Sequence, residues 1–194
     1  MSSSIWFEEI DSALVKFIKA VVQIPDRQGG LVSVPVEVRK PDMDFKIETY
    51  PLISIYNLYS VYEPIRHFDG RIKTDKNYIN KKVTAKKSFI PYDVFYQIDF
   101  WSKTYTDMNA MTLKWLSKVE RHFNLDVTDN GGNSVDIFAL RKSDLQKSDI
   151  ITQEQRILHS FITYKFNASI DEDLGVVYPM ITDVDVQIEQ AVNL

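Results

Sequence analysis

An α+β fold is expected from this sequence: a mainly antiparallel sheet packed on one face by two helices, with a long basic loop or hairpin inserted between two strands. Three observations lead there. A period of two runs through Tyr92, Val94, Tyr96, Ile98 and Phe100, which sets one continuous apolar row on one face of a strand. Directly after it the period changes to steps of three and four, in Met108, Met111, Trp115, Val119 and Phe123, with Leu116 beside them. That is one face of an amphipathic helix. The order of elements is helix, two strands, basic excursion, strand, helix, then one or two strands. Antiparallel neighbours covered by two helices meet that order most simply.

Ser4 to Val22 is the first helix, with Trp6, Ile10, Leu14, Phe17, Ile18 and Val21 on one face. Glu8, Glu9 and Asp11 lie near its start and Lys16 and Lys19 near its end, the order that the helix dipole favours. Ile24-Pro25 ends it, because a residue before proline is biased away from helix. Asp26 to Gly30 is a turn. Leu31 to Lys40 reads as a strand with Val32, Val34, Val36 and Val38 on one face. Pro35 cannot donate to a ladder, so this strand lies at an edge or carries a bulge. Pro41 to Tyr50 is a polar connection. Leu52 to Tyr59 is apolar on both faces and is placed centrally.

Tyr62 to Ile90 has no clean period. A segment of that length without its own secondary structure is usually functional or mobile. An extended hairpin is one form open to it, with Asp69-Gly70 as a turn. In the strand that follows, the second row reads Asp93, Phe95, Gln97, Asp99 and Trp101, so that face is only partly dry. Thr106 is placed as the cap of the second helix, and Asp107 adds negative charge to its first turn. Asn124 to Ser134 reads as a loop, Val135 to Leu140 as a short strand, and Arg141 to Gln155 as polar and turn-like. Arg156 to Ile170 is the last clear strand, with Leu158, Ile162, Tyr164, Phe166, Ala168 and Ile170 on one row. Val176 to Val192 is acidic and reads as an extended arm.

At 194 residues the chain reads as a single domain, 1–194, with 62–90 as a basic insertion and 171–194 as an acidic C-terminal arm. A net charge of −4 argues against general affinity of the whole surface for nucleic acid. The absence of cysteine excludes a disulfide framework and thiolate metal or iron–sulfur chemistry, and it suits a reducing compartment. No apolar run approaches the ~20 residues that cross a bilayer. The first residues lack the basic-then-apolar pattern of a signal peptide. A soluble protein made in the cytosol is expected.

Signals of chemistry are few. His67, His122 and His159 stand in unrelated contexts without metal-ligand spacing. Neither a Gly-x-Ser-x-Gly elbow nor a phosphate-binding glycine loop occurs, and Gly131-Gly132 reads as a tight turn. Asp93 and Asp99 share a strand face but lie some ~20 Å apart at strand rise, too far for a carboxylate pair. Asp171-Glu172-Asp173 reads as a solvated turn and lacks the spacing of a calcium loop. No catalytic residue, metal or cofactor is expected. The compositional anomaly is the excursion itself, where Arg66, Arg71, Lys73, Lys76, Lys81, Lys82, Lys86 and Lys87 face only Glu63, Asp69 and Asp75. Two readings stay open: a solvated, mobile loop, or contact with phosphate or with an acidic neighbouring surface. Phe68, Tyr78 and Phe89 are interleaved but repeat no basic–aromatic motif, so sequence-specific DNA reading is not expected.

Taken in order, the N-terminal helix, the Val34 to Val38 strand (Val-Pro-Val-Glu-Val) and Tyr50-Pro51-Leu52-Ile53-Ser54-Ile55 lead into the basic segment. Pro91 to Trp101 with its following helix, the late strand His159 to Ile170 and the Val177-Tyr178-Pro179 tail complete the pattern. With these features the chain resembles the tail terminator (tail completion) proteins of tailed bacteriophages, especially those with contractile tails. The likeness covers most of residues 5 to 180 and is one of element order and texture. It implies a structural, non-enzymatic subunit that forms a hexameric ring on the last ring of the tail tube. Such a ring would stop tube and sheath growth and offer a docking face to the neck or head. The implied partners are further copies of the chain, the tail tube protein, the sheath and neck or head-completion proteins, with genomic DNA passing through unread. The implied location is the virion tail, with assembly in the host cytoplasm.

A ring needs a heterologous, closing interface, and aromatic-rich, partly apolar surfaces suit one. The candidates are Phe95 and Trp101 on the second strand face, the basic residues Arg71, Lys73, Lys76, Lys81, Lys82, Lys86 and Lys87, and the acidic Asp171, Glu172 and Asp173. Three other readings remain: another neck or baseplate adaptor ring, a basic-loop nucleic-acid-binding module, and a small enzyme whose site is assembled from distant residues.

Overall fold

A computed structural model describes residues 7–25, 29–39, 47, 49–66, 71–77, 82–87, 90–128, 132–151, 156–170 and 176–179. Its elements in order are α1 (Phe7–Val21), β1 (Gln23–Pro25), β2 (Leu31–Ser33), β3 (Val36–Arg39) and β4 (Leu52–Tyr62). After a 3-10 turn at Pro64–Arg66 come β5 (Arg71–Asn77), β6 (Lys82–Lys87), β7 (Ile90–Ser102) and α2 (Tyr105–Lys118). The chain continues with β8 (His122–Thr128), β9 (Ser134–Arg141), β10 (Gln146–Lys147), β11 (Ile150–Ile151), β12 (Arg156–Ile170) and β13 (Val176–Pro179). The fold is α+β, two helices on a mostly antiparallel, curled sheet.

The main sheet runs β3-β4-β7-β12-β9-β8, with β10 and β11 added on β12. β7 is its centre. It pairs with β12 along its whole length and with β4 from Leu52↔Trp101 to Tyr62↔Tyr92. The alternation read from sequence explains this: Val94, Tyr96, Ile98 and Phe100 are fully buried beneath the helices. β12 supplies the matching row, Leu158, Ile162, Tyr164, Phe166 and Ala168, all buried. α1 lies against both β3 and β8, the two ends of the sheet path, so the sheet curls round that helix. Ile10, Leu14 and Ile18 point from α1 into the shared core and have no exposed surface.

Trp115 of α2 is the largest side chain in that core. Its ring meets Phe100 at 6.0 Å, Tyr164 at 5.9 Å and Phe17 at 6.1 Å, each close to edge-on. Its indole N–H donates to the Tyr164 hydroxyl at 3.1 Å, so the one polar atom on the ring is satisfied. Burial pushes the hydroxyl of Tyr96 well above the ordinary tyrosine range, with Asp11 adding to the effect, and it raises that of Tyr164 as well. A tyrosine whose folded pKa is raised gives stability that is complete below the unfolded value and is lost as pH rises beyond it. Unfolding is therefore expected to set in above pH ~10. Tyrosinate absorbance and far-UV circular dichroism should change together, and Tyr96→Phe should shift the onset upward.

Several elements depart from the sequence reading. The strand expected over Leu31 to Lys40 is cut at Pro35. β2 pairs only with β1, and β3 becomes a parallel edge strand against β4. The missing N–H of Pro35 marks the break, and Val32, expected to share a buried row with Val34, is half exposed. Gly29 closes the β1–β2 hairpin at φ +83°, a conformation that suits glycine. The cap of α2 is Thr104, not Thr106: its hydroxyl accepts from the Asp107 backbone N–H, and the helix starts one residue before the expected cap. α2 stops at Lys118, so Val119 and Phe123 join the core from beyond the helix. The expected loop of Asn124 to Ser134 is in large part β8, a polar-looking strand that buries only Leu125 and Val127. In the connection to β9, Gly132 has φ +79°, while Gly131, the other half of the expected tight turn, lies outside the described residues. Residues Asp171 to Asp173 and 180–194 lie outside the described residues.

Candidate functional site

The described residues of the basic excursion include a hairpin, one of the two forms expected of it. β5 and β6 pair antiparallel, with Arg71↔Lys87, Ile72↔Lys86, Lys76↔Val83 and Asn77↔Lys82 in register and a bulge between Lys73 and Asp75. β13 adds on the far side of β6, from Val176↔Ala85 to Pro179↔Lys82. The result is a three-stranded sheet separate from the main one. The connection from β5 to β6 is 78–81, so the turn is not at Asp69-Gly70, which precedes β5. The structure thus brings Arg71, Lys73, Lys76, Lys82, Lys86 and Lys87 onto one hairpin. Lys81 lies outside the described residues. Asp171, Glu172 and Asp173 also lie outside them, just before the strand that pairs with β6.

The root of this hairpin is tied to the main sheet. Asp93 on β7 accepts from Arg66 Nη2 at 2.6 Å and from Lys165 Nζ at 2.9 Å. Arg66 stands in the 3-10 turn that leads into β5, so one carboxylate anchors the turn to β7 and β12. Aromatic pairs brace the same region: Tyr59 stacks on Phe95 at 4.5 Å, and Tyr62 meets Tyr92 at 6.1 Å. Tyr59, Val61, Tyr62 and Ile65 remain exposed around this root.

The second face of β7 holds a buried polar cluster. Asp99 has no exposed surface, and its carboxylate accepts from Gln97 Nε2 at 2.7 Å and meets His159 Nε2 at 2.8 Å. Ser54 Oγ lies at 3.4 Å and Arg39 Nη1 at 3.8 Å. One carboxylate therefore links β3, β4, β7 and β12. Trp101 donates from its indole N–H to Ser54 Oγ at 2.9 Å and stacks on the His159 ring at 3.8 Å. The serine contacts the carboxylate rather than the imidazole, so the histidine is not placed to take its proton, as nucleophilic catalysis would need. The cluster is suited to fixing four strands in one register. Of the two aromatic candidates, Trp101 is 6% exposed and committed within the chain, while Phe95 is half-buried beside the exposed Tyr59.

Sequence reading did not single out Arg39, Ser54 or Lys165 as partners of the two aspartates, because register decides those contacts. One signal was present: Ser54 interrupts the run Leu52-Ile53-Ser54-Ile55, a polar residue where both faces are otherwise apolar.

A further feature is a cleft of about 620 Å³ between α1 and β8. Glu8, Glu9 and Asp126 line it with Lys16, over the buried Ala13 and Leu125. One Asp126 oxygen accepts from Ser134 Oγ. Among the described residues no cluster of His, Asp and Glu could hold a metal ion, and no helix is long and apolar enough to cross a membrane.

No family model matches the chain, and no curated protein matches it. A solved structure does. The fold is similar to that of a contractile sheath/tube terminator. That protein is the sheath/tube terminator of the extracellular contractile injection system PVC, seen by cryo-electron microscopy in the extended state. The superposition has a TM-score of 0.51 at 10% sequence identity and covers 100% of this chain. The chain spans 66% of the length of that terminator.

Proposed function

We propose that the chain is a tail terminator subunit, forming a ring that caps the tail tube of a contractile particle, ends tube and sheath growth, and presents its other face to a neck or head. The observation that carries this is the likeness of fold, over the whole chain, to a protein that terminates a sheath and tube. The internal geometry is compatible with it. A sheet locked across four strands by Asp99 is a rigid platform, and the hairpin rooted at Asp93 is an arm that reaches out from it. In this reading the role is mechanical rather than enzymatic. The tube and sheath proteins are the partners, a hexamer is the ring, and the particle is assembled in the host cytoplasm. Another neck or baseplate ring is the nearest variant of the same reading.

Electron microscopy of the purified protein, alone and mixed with polymerised tail tubes, tests it. Rings, or tubes with added density at one end, are the expected sight. Monomers that ignore tubes would remove the reading, and salt-sensitive DNA binding by the hairpin would then favour a nucleic-acid-binding module.

A further inference from the structure

We infer that the basic β5–β6 hairpin of one copy docks into the α1–β8 cleft of the next copy, an inference that rests on the ring reading above. The hairpin's own composition calls for an anionic partner. Arg71 stands directly opposite Lys87 in the ladder, and like charges in that position destabilise a strand pair. The apolar residues of the two strands are Ile72, Val83 and Ala85, too few to build a core of their own. Over 71–87 seven basic residues face Asp75 alone, while the chain as a whole stands at −4. The rest of the chain therefore carries a net negative charge, six of its acidic residues and no basic one falling within 171–194. Two copies attract each other hairpin to body, in a head-to-tail sense.

The cleft is where acid and open volume coincide on that body. Glu8, Glu9 and Asp126 line it, and Lys16 is the one cation among its lining residues. Its place in the sheet suits a contact between copies. The hairpin leads into β7, and β12 and β9 lie between β7 and β8, a separation of roughly 14 Å at the usual strand spacing. Both features lie at the same end of the strands. Val127 and Thr128 fall on the same side of the Ala139↔Phe166 pair as Ile170, and Ile170 pairs with Ile90, where β7 begins. An arm leaving the middle of the sheet and a receptor at its β8 edge, at one level, make a heterologous contact, which closes into a ring when the rotation permits.

The chain has no cysteine, so introduced thiols report only the contact in question. Ser12→Cys places one at the cleft and Thr84→Cys places one on β6, both without changing charge. The two variants are mixed, assembled with or without tubes, and mildly oxidised. A disulfide-linked dimer is expected from the mixture and not from either variant alone. Adding Asp126→Lys to the cleft variant should lower its yield by roughly tenfold. Rings without the crosslink would overturn this interface and leave the ring reading standing. No crosslink and no rings, free or on tubes, would overturn both. Duplex DNA captured by the hairpin, with no crosslink, would make nucleic acid its occupant and overturn the inference.

Discussion

Trp115→Ala is expected to destabilise the fold by about 5 kcal/mol, the upper end of the range for removing a buried aromatic side chain. Three terms point that way. The indole is fully buried, so its whole area is lost from the core. It packs at once against Phe17 of α1, Phe100 of β7 and Tyr164 of β12, so the cavity opens between layers that cannot all collapse into it. The Tyr164 hydroxyl loses its indole donor as well. Chemical denaturation should show the midpoint falling with little change in slope. Trp115→Phe should recover most of the loss, because it restores volume without the hydrogen bond. A midpoint unmoved by Trp115→Ala would show that α2 does not seal the core.

Asp99→Ala is expected to cost about 3 kcal/mol, near the lower end for breaking a buried charged pair. The lower end applies because Arg39, with its side chain 31% exposed, can turn its charge to water when the carboxylate is gone. Gln97 and His159 lose their acceptor, while Ser54 keeps the Trp101 indole N–H. Asp99→Asn preserves shape and one acceptor oxygen, so its effect should be smaller. Hydrogen exchange adds a readout specific to the proposed role: amides of β3 and β4 should exchange faster in Asp99→Ala, since that carboxylate ties them to β7 and β12. Equal exchange in the two proteins would mean that backbone pairing alone fixes the register.

Most of the fold was legible because one rule governed it. On β7 and β12 the alternation selects rows that are buried, Val94, Tyr96, Ile98 and Phe100 on one and Leu158, Ile162, Tyr164, Phe166 and Ala168 on the other, although Asp99, Trp101 and His159 of the opposite rows are buried as well. The centre of α2 follows a helical step for the same reason. The misses share a cause too. β8 reads His-Phe-Asn-Leu-Asp-Val-Thr, and only two of its seven residues are buried, so its polar face outweighed its apolar one in the sequence. β5 and β6, left open between loop and hairpin, carry lysine where strands usually carry branched apolar residues, and pairing rather than composition defines them. The site divides along the same line. The basic residues were visible as an anomaly of charge. The partners of Asp93 and Asp99 were not, because Arg39, Ser54 and Lys165 reach them across strands whose register no local pattern specifies. The cleft under Glu8, Glu9 and Asp126 joins residues more than a hundred positions apart and exists only once the sheet has curled round α1.

The most direct measurement on the central proposal is the length distribution of tail tubes grown from tube protein with increasing amounts of this chain, imaged by electron microscopy. Growth should stop once the ends are occupied, with ring-shaped density at one end and no further lengthening when fresh tube protein is added. Tubes that lengthen at an undiminished rate in excess of this chain, with bare ends, would contradict it.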